Sequence, residues 1–143
     1  MSEDLKKNLE LSLNNAKRLS NKILINGNLT SAKSSNKIKV INPSTGEQIG
    51  EAPQCSKDDV DIAVSSAETA FQKWKKIPAR ERGKMMTAAA RKLEERREEI
   101  ETLLALDTGN ALRTQAKPET AASIELTHMF AGLAGEIKGE NYP

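Results

Sequence analysis

Residues 56–74, which read SKDDVDIAVSSAETAFQKW, decide how the rest of the chain is interpreted. Ser56 and Asp59 have the spacing of a capping box, in which each side chain bonds the other residue's backbone N–H at a helix start. After them, apolar residues recur at steps of three and four, the period of an amphipathic helix. The pattern predicts a helix over about 57–75, with an apolar face made of Val60, Ala63, Val64, Ala67, Ala70, Phe71 and Trp74.

Downstream of this stretch, two further helices are predicted, over about 79–107 and about 118–134. Pro78 suits the first turn of the former, and Gly109 is a natural helix stop. The charged run 94–99 is interpreted as a solvated face. The apolar faces of the two helices are formed by Met85, Met86, Ala89, Ala90, Leu93, Ile100, Leu103 and Leu104, and by Ala121, Ala122, Ile124, Leu126, Met129 and Phe130.

Upstream, residues 22–52 predict a small antiparallel β-meander. The dipeptide Asn26-Gly27 favours a type I′ hairpin turn, and it follows an apolar strand that begins at Lys22. Residues 30–36 are polar and rich in turn formers, which predicts a loop. Residues 37–41 alternate charged and apolar side chains, as a half-buried strand does. The chain then returns through a turn with the sequence Asn42-Pro-Ser-Thr-Gly46.

The first 21 residues are predicted to be an extension, loosely held, ahead of a single segment at 22–143. Within the extension, a short amphipathic helix is predicted because one helical face carries Leu5, Leu9, Leu13 and Ala16. The 143 residues include only two Phe, one Trp and one Tyr, and 37% are apolar. These elements predict an α+β fold, a small meander followed by three amphipathic helices, with a modest core.

Charge and cysteine content exclude several classes of protein. The 22 basic residues alternate with 20 acidic ones, unlike the concentrated basic face of a nucleic-acid-binding protein. No apolar stretch is long enough to span a bilayer, and the first residues lack the basic start of a secretion signal. A single cysteine excludes an internal disulfide. We expect a soluble, cytoplasmic protein that binds neither nucleic acid nor membranes.

Two side chains invite a catalytic interpretation, and both lack the neighbours that catalysis requires. His128 is the only histidine, and no cysteine lies near it in sequence to share a metal. Cys55 precedes a helix start, a position that favours reactive thiols, but the only candidate base is His128. Gly132, Gly135 and Gly139 close a helix, whereas phosphate-binding loops open one. We therefore predict no catalytic and no cofactor-binding residue in this chain.

Asp107 occupies a position where a carboxylate is expected to have a positively charged partner. It falls in the last turn of the helix predicted over 79–107, where the negative end of the helix dipole disfavours a carboxylate. Two partners are consistent with the sequence. One is a nearby lysine or arginine, and the other is a bound cation held by carboxylate and backbone oxygens.

Seven motifs occur in order along the chain: Ile23-Leu-Ile-Asn-Gly27, Val40-Ile-Asn-Pro-Ser-Thr-Gly-Glu47, Asp59-Val-Asp-Ile-Ala63, Ala70-Phe-Gln-Lys-Trp74, Pro78-Ala-Arg-Glu-Arg82, Leu106-Asp-Thr-Gly109 and Ala131-Gly-Leu-Ala-Gly-Glu136. Together they resemble the N-terminal part of the aldehyde dehydrogenase superfamily, over about residues 22–143. The resemblance implies that the strands and helices belong to that α/β fold. Asn110 departs from the pattern, because a lysine usually follows Thr-Gly, and this leaves the subfamily and the substrate open.

The resemblance also implies an activity, the oxidation of an aldehyde to a carboxylic acid with NAD or NADP. In that family the catalytic cysteine and the nucleotide-binding strands lie beyond the point where this chain stops. The chain alone is therefore expected to be inactive and to bind no nucleotide. Several family members bind a monovalent cation, and the matching positions are Val40 and Ile41, through their backbone carbonyls, and Asp107. The resemblance thus predicts a Na⁺ or K⁺ site at these three residues.

Two functions remain open from the sequence. In the first, the chain is a scaffold segment of a truncated or split dehydrogenase, and its partner is the remainder of that enzyme, itself an oligomer. In the second, it is a stand-alone, non-catalytic helical interaction module derived from the family. The first predicts a large exposed apolar surface left by the missing sheet, and the second predicts apolar faces that are satisfied within the chain or by self-association.

Overall fold

The computed structural model describes residues 3–136 and 138–139, so residues 140–143 of the matched segment and Ile137 of the glycine-containing stretch lie outside the described residues. After one N-terminal helix, the strands form hairpins and the rest of the described chain is helical, which confirms the α+β class. The elements are α1 Glu3–Leu19, β1 Lys22–Ile25, β2 Asn28–Ser31, β3 Lys37–Ile41, β4 Gln48–Pro53, α2 Lys57–Trp74, α3 Ala79–Glu95, α4 Arg97–Thr108, a π-helical turn Leu112–Ala116, and α5 Lys117–Leu133.

The strands form two separate antiparallel hairpins, β1–β2 and β3–β4, where the sequence predicts one continuous meander. In the first hairpin Ile23 lies opposite Thr30, and the connecting turn holds Asn26 and Gly27 at positive φ, as the Asn-Gly dipeptide predicts. β2 is exposed along its whole length, and a polar loop separates it from β3. Leu29 is the only apolar side chain of β2 and is 52% exposed, so β2 buries no apolar face that would specify a pairing with β3.

α2 begins at a complete capping box. Ser56 Oγ accepts a hydrogen bond from the Asp59 backbone N–H, and the Asp59 carboxylate accepts one from the Ser56 N–H at 2.9 Å. The Lys33 N–H donates to the second Asp59 oxygen at 3.0 Å, which ties the loop before β3 to α2. The hydrogen bonds from Lys33 and Ser56 hold the pKa of the Asp59 carboxyl below its ordinary value.

The helix predicted over 79–107 is two helices, α3 and α4, which meet at Arg96. This residue leaves helical geometry, with φ −111° and ψ 17°. Its guanidinium forms two hydrogen bonds with the Glu99 carboxylate, at 2.7 and 2.8 Å. The apolar spacing continues across the break, so periodicity does not reveal it. α4 ends at the predicted stop, Gly109, whose φ is 72°.

The core is small and is built mainly where α3 crosses α5. Ala90 and Ala116 are fully buried, and Ile124 and Ala131 nearly so. At the crossing, a Cβ atom placed on Gly83 would lie only 2.6 Å from the Ala131 carbonyl oxygen. The two helix backbones therefore approach more closely than any residue with a side chain at position 83 would allow.

The N-terminal extension is a helix, α1, that packs on α4 and β4, where the sequence predicts a loosely held segment. Ser12 on its inner face is fully buried. The contact also covers part of the charged run 94–99, because the Glu99 side chain is only 11% exposed. That run is therefore not wholly the solvated face that the sequence predicts. The half-buried residues on the inner face of α1 include the predicted set Leu5, Leu9, Leu13 and Ala16.

Candidate functional site

The residues matched to a cation site come from two elements that meet at one cavity of about 390 Å³. Val40, near the end of β3, and Asp107, in the last turn of α4, both line it. Ile41 is not part of the lining; it is 41% exposed and follows a register shift in the β3–β4 ladder. The remaining walls are contributed by Ala16, Leu19, Ser20, Ile49, Gly50, Glu51, Ile100, Leu103 and Leu104.

The turn after β3 holds this arrangement together. The buried Asn42 accepts the Ser44 N–H through its side-chain oxygen at 2.9 Å, which shapes the turn. Ser44 Oγ in turn donates to the Gly109 carbonyl at 3.3 Å. A Cβ atom on Gly109 would lie 2.7 Å from Pro43 Cγ, so the turn sits directly on the end of α4. The end of β3 is thereby fixed beside Asp107.

Glu51 of β4 is a second carboxylate on the cavity, and the sequence interpretation missed it. It forms an ion pair with Lys37 on the neighbouring strand, with 2.8 Å between Nζ and Oε2. The side-chain hydrogen bond from Lys37 lowers the pKa of the Glu51 carboxyl from its ordinary value. The available signal was an acidic residue on the returning strand of a hairpin whose first strand carries lysines at positions 37 and 39.

The oxygens at this cavity are of the type that hard cations bind, namely carboxylates and backbone carbonyls. The cavity walls are otherwise mostly apolar. Among residues 3–136 and 138–139, no three His, Cys, Asp or Glu side chains cluster as a multidentate metal site would require. The salt bridges in the described part of the chain do not include Asp107, so the alternative of a basic partner finds no support there. The residues present fit part of a monovalent-cation shell, and the site stays a prediction.

Cys55 and His128 have separate surroundings. Cys55 is exposed at the start of α2, with Sγ 3.9 Å from the Pro53 carbonyl oxygen. His128 lies on α5, and its Nε2 is 3.5 Å from a carboxylate oxygen of Glu94 on α3. The structure therefore does not bring Cys55 and His128 together, and the absence of a catalytic role stays a prediction.

The prediction that this chain binds no nucleotide stays a prediction, and the strands and glycines of residues 3–136 and 138–139 are arranged as follows. Their strands pair only as antiparallel hairpins, and Gly132 and Gly135 lie at the C-terminal end of α5. A helix C-terminus presents free carbonyl groups, whereas phosphates bind the free N–H groups of an N-terminus.

An apolar surface lies on α2 and beside the β1–β2 hairpin, in a groove of about 1100 Å³. The apolar face predicted for α2 is largely uncovered, with Val64 60%, Phe71 55% and Trp74 39% exposed. α5 carries a second exposed set, namely Leu126, Met129, Phe130 and Leu133. None of the helices among the described residues combines the length and hydropathy needed to cross a membrane.

Comparison with known proteins gives one consistent family. The model of the aldehyde dehydrogenase family matches residues 29–143. Human mitochondrial 10-formyltetrahydrofolate dehydrogenase is 37% identical over 121 residues, which are 83% of this chain and 13% of that protein. The structure of betaine aldehyde dehydrogenase from Staphylococcus aureus in complex with NAD⁺ is similar with a TM-score of 0.84 and 30% identity, over 93% of this chain and 27% of that one.

A second solved relative is the NAD-dependent benzaldehyde dehydrogenase from Corynebacterium glutamicum. Its TM-score is 0.79 and its identity 33%, over 86% of this chain and 27% of that one. The chain thus spans about a quarter of the solved structures and a smaller share of the human protein.

Proposed function

The chain belongs to the aldehyde dehydrogenase family, and from this premise we propose that it supplies scaffold to an NAD- or NADP-dependent aldehyde dehydrogenase. Such an enzyme oxidises an aldehyde to a carboxylic acid, and the nicotinamide supplies the hydride acceptor. The role of the described residues in it is to pack and to position. A cytoplasmic location stays a prediction.

The observation that carries this proposal is the exposed apolar face of α2. Its residues repeat at helical spacing, as they do on a face that is buried, yet Val64 and Phe71 are more than half exposed. Contiguous apolar patches of this kind mark surfaces that another part of a protein or a partner covers. We propose that the covering part is the remainder of a dehydrogenase fold, since the solved relatives continue well beyond the share that matches this chain.

A chimera tests the proposal. Residues 29–143 replace the matching segment of the Corynebacterium glutamicum benzaldehyde dehydrogenase, which is 33% identical over the aligned region. We expect a soluble enzyme that reduces NAD with benzaldehyde. A panel that adds betaine aldehyde and 10-formyltetrahydrofolate, the substrates in the names of other relatives, would show whether this segment influences the choice of aldehyde.

A matched pair of variants makes the chimera decisive. Phe71→Asp places a charge on the apolar face of α2, and we expect it to abolish assembly and activity. Gln72→Asp, one residue along on the same exposed helix, should leave both unchanged. If the chimera folds but the two variants behave alike, α2 does not pack against the rest of the enzyme and the scaffold proposal fails.

The 143-residue chain itself provides a second test. If its apolar faces are exposed because the rest of a dehydrogenase normally covers them, the chain should bind a hydrophobic dye strongly. Phe71→Asp should weaken that binding. A compact monomer that binds no dye would contradict the proposal. A dye-silent dimer would favour the second function, an interaction module that associates with itself.

We also propose that Val40, Ile41 and Asp107 contribute to a Na⁺ or K⁺ site, the first two through backbone carbonyls. The shared cavity of Val40 and Asp107 supports this, while the exposed position of Ile41 makes it the weakest member. The test is the melting temperature of the chimera in sodium, potassium and choline chloride at equal ionic strength. We expect stabilisation by one metal ion that Asp107→Asn removes; equal melting temperatures in all three salts would contradict the site.

A further inference from the structure

The turn between β1 and β2 is the only Asn-Gly dipeptide in the sequence, and it is exposed. Asn26 and Gly27 have φ values of 50° and 75°, in the left-handed region that Asn and Gly tolerate best. Among residues 3–136 and 138–139, no hydrogen bond engages the Asn26 side chain or the Gly27 N–H. Gly27 has no Cβ atom, and nothing would lie within 4 Å of one. The Asn26 amide and the Gly27 nitrogen are therefore unobstructed neighbours.

These two groups can react with each other without an enzyme. The Gly27 nitrogen gives its proton to the solvent and forms a bond to Cγ of Asn26, while the bond from Cγ to Nδ2 breaks. Nδ2 takes a proton from the solvent and leaves as ammonia, and the product is a cyclic imide. Water then opens the imide at one of its two carbonyls. The result is either aspartate or isoaspartate, whose main chain runs through the side-chain methylene group. The net reaction consumes water, releases ammonia and involves no oxidant or reductant.

The reaction requires the turn to open, and the β1–β2 hairpin is weakly secured against opening. Closing the imide ring brings the Gly27 nitrogen onto Cγ, which requires a rotation about ψ of Asn26 away from the type I′ turn. The hairpin has only two strands of four residues each, and β2 is exposed along its whole length. A two-stranded hairpin is marginally stable by itself. The turn should therefore open locally while the helices stay folded.

The same turn forms part of the groove along α2. Ile25 and Asn26 line it from the hairpin, and Phe71 and Trp74 line it from the helix. Isoaspartate adds a carbon atom to the backbone of a two-residue turn, which breaks the register that pairs Ile25 with Asn28. We propose that Asn26 is a site of spontaneous deamidation, and that its conversion to isoaspartate opens the β1–β2 hairpin and removes this wall from the groove.

Mass spectrometry of the 143-residue chain, incubated at neutral and alkaline pH, tests the modification. Trypsin cleaves after Lys22 and Lys33, so one peptide contains both Asn26 and Asn28. We expect Asn26 to become Asp or isoaspartate, faster at the higher pH because the Gly27 nitrogen must lose a proton. Asn28 has the same exposed hairpin around it but precedes Leu29, whose side chain hinders the attack, and it should stay unchanged. Equal conversion of the two residues would overturn the proposal.

The same incubation in urea measures how far the fold protects the turn. We expect Asn26 in the folded chain to react about tenfold more slowly than in the unfolded chain, as for a turn that opens locally. Gly27→Ala should suppress the reaction in urea, where the strain of alanine at a positive φ plays no part. Reaction in urea with none in the folded chain would overturn the proposal, because the turn would then be closed.

Hydrogen exchange and fluorescence test the consequence for the groove. In the chain that carries isoaspartate, we expect the amides of β1 and β2 to exchange faster while those of α5 keep their rates. Trp74 is the only tryptophan, so acrylamide, an uncharged quencher, should quench its fluorescence more strongly once the wall is lost. Asn26→Asp adds the charge without the extra backbone atom and should leave both readouts unchanged. Unaltered exchange or quenching in the isoaspartate chain, or equal effects of Asn26→Asp, would overturn the proposed opening.

Discussion

The two main helix–helix contacts of this chain are held in opposite ways. Where α3 crosses α5, Gly83 and Ala131 bring the backbones together and Ala90 is fully buried between them. Where α1 lies on α4, the fully buried residue is Ser12, and Glu99 binds the side chains of Arg96, at the break before α4, and of Asn15 on α1. The first contact depends on shape and the second on hydrogen bonding and charge. Changes of volume should therefore damage the first, and changes of charge the second.

The largest effect is expected from Ile124→Ala on α5. Ile124 is 2% exposed, so the substitution removes buried methylene groups and leaves a cavity. We expect the free energy of unfolding to fall by about 3 kcal/mol. Urea denaturation measures this, with Leu126→Ala, whose side chain is half exposed, as the control. Similar losses for both variants would mean that the α3–α5 contact is not the tightly packed one.

Gly83→Ala should have the next largest effect, since its Cβ atom would meet the Ala131 carbonyl oxygen. Helix propensity alone would make this change favourable, so a loss of stability isolates the steric cost. We expect a loss of about 2 kcal/mol. Gly132→Ala is the matched control, because nothing lies within 4 Å of a Cβ atom placed there. A Gly83→Ala chain as stable as the control would show that the helices can separate without cost.

Ser12→Ala examines the polar contact without changing volume appreciably. The hydroxyl is lost from a fully buried position, and with it the hydrogen bond that Ser12 donates to the Glu99 carbonyl. We expect a loss of about 1 kcal/mol. Asn14→Ala, on the exposed face of α1, is the control and should be neutral or slightly stabilising. If Ser12→Ala left the free energy of unfolding unchanged, the leucines of α1 and not its polar side chains would stabilise the α1–α4 contact.

The smallest effect on the α1–α4 contact is expected from lowering the pH until Glu99 is protonated. Arg96, and to a lesser extent Asn15 and Arg18, hold the pKa of the Glu99 carboxyl below its ordinary value of 4.5. A group with a lowered folded pKa stabilises the contact at neutral pH, and this stabilisation is lost as the pH falls through the lowered value. The Asn15 side-chain amide resonance, followed by NMR, should therefore shift only in acid. In Glu99→Gln that shift should disappear, and a persistent shift would implicate another carboxylate.

Features that depend on neighbouring residues could be predicted from the sequence, whereas contacts between residues distant in sequence could not. The Asn26-Gly27 turn, the Ser56–Asp59 capping box and the Gly109 stop each depend on neighbouring residues, so local chemistry predicts them. The break at Arg96 does not interrupt the apolar spacing, so periodicity does not reveal it. The π-helical turn Leu112–Ala116 lies between two predicted helices, in a stretch without an apolar repeat. The packing of α1 was missed because its central contacts are polar and join residues distant in sequence.

The residues of the candidate cavity also divide into those that the sequence predicts and those that it does not. Asp107 was singled out from its place at a helix end, and Val40 through the family resemblance; the structure brings both to one cavity. Ile41 was included because of its position in the motif, but it is not part of the cavity lining, although it still pairs with Gln48 across a register shift whose extra residue lies on β4. Glu51 was missed because its approach to the cavity depends on how β4 packs against α1, which joins residues distant in sequence.

The contact between the turn at residues 42–46 and the end of α4 limits how the length of α4 can vary between relatives. Gly109, which caps α4, contacts Pro43 and Ser44. Its rotation about the helix axis and its position along that axis are therefore both fixed. Each residue inserted into α4 rotates everything after it by about 100° and advances it by about 1.5 Å. α4 should consequently accept many substitutions but no insertions or deletions. A library of single-residue insertions between residues 97 and 108 would lose nearly all its members under selection for folding, while insertions at the exposed Ser35, in the loop before β3, would survive.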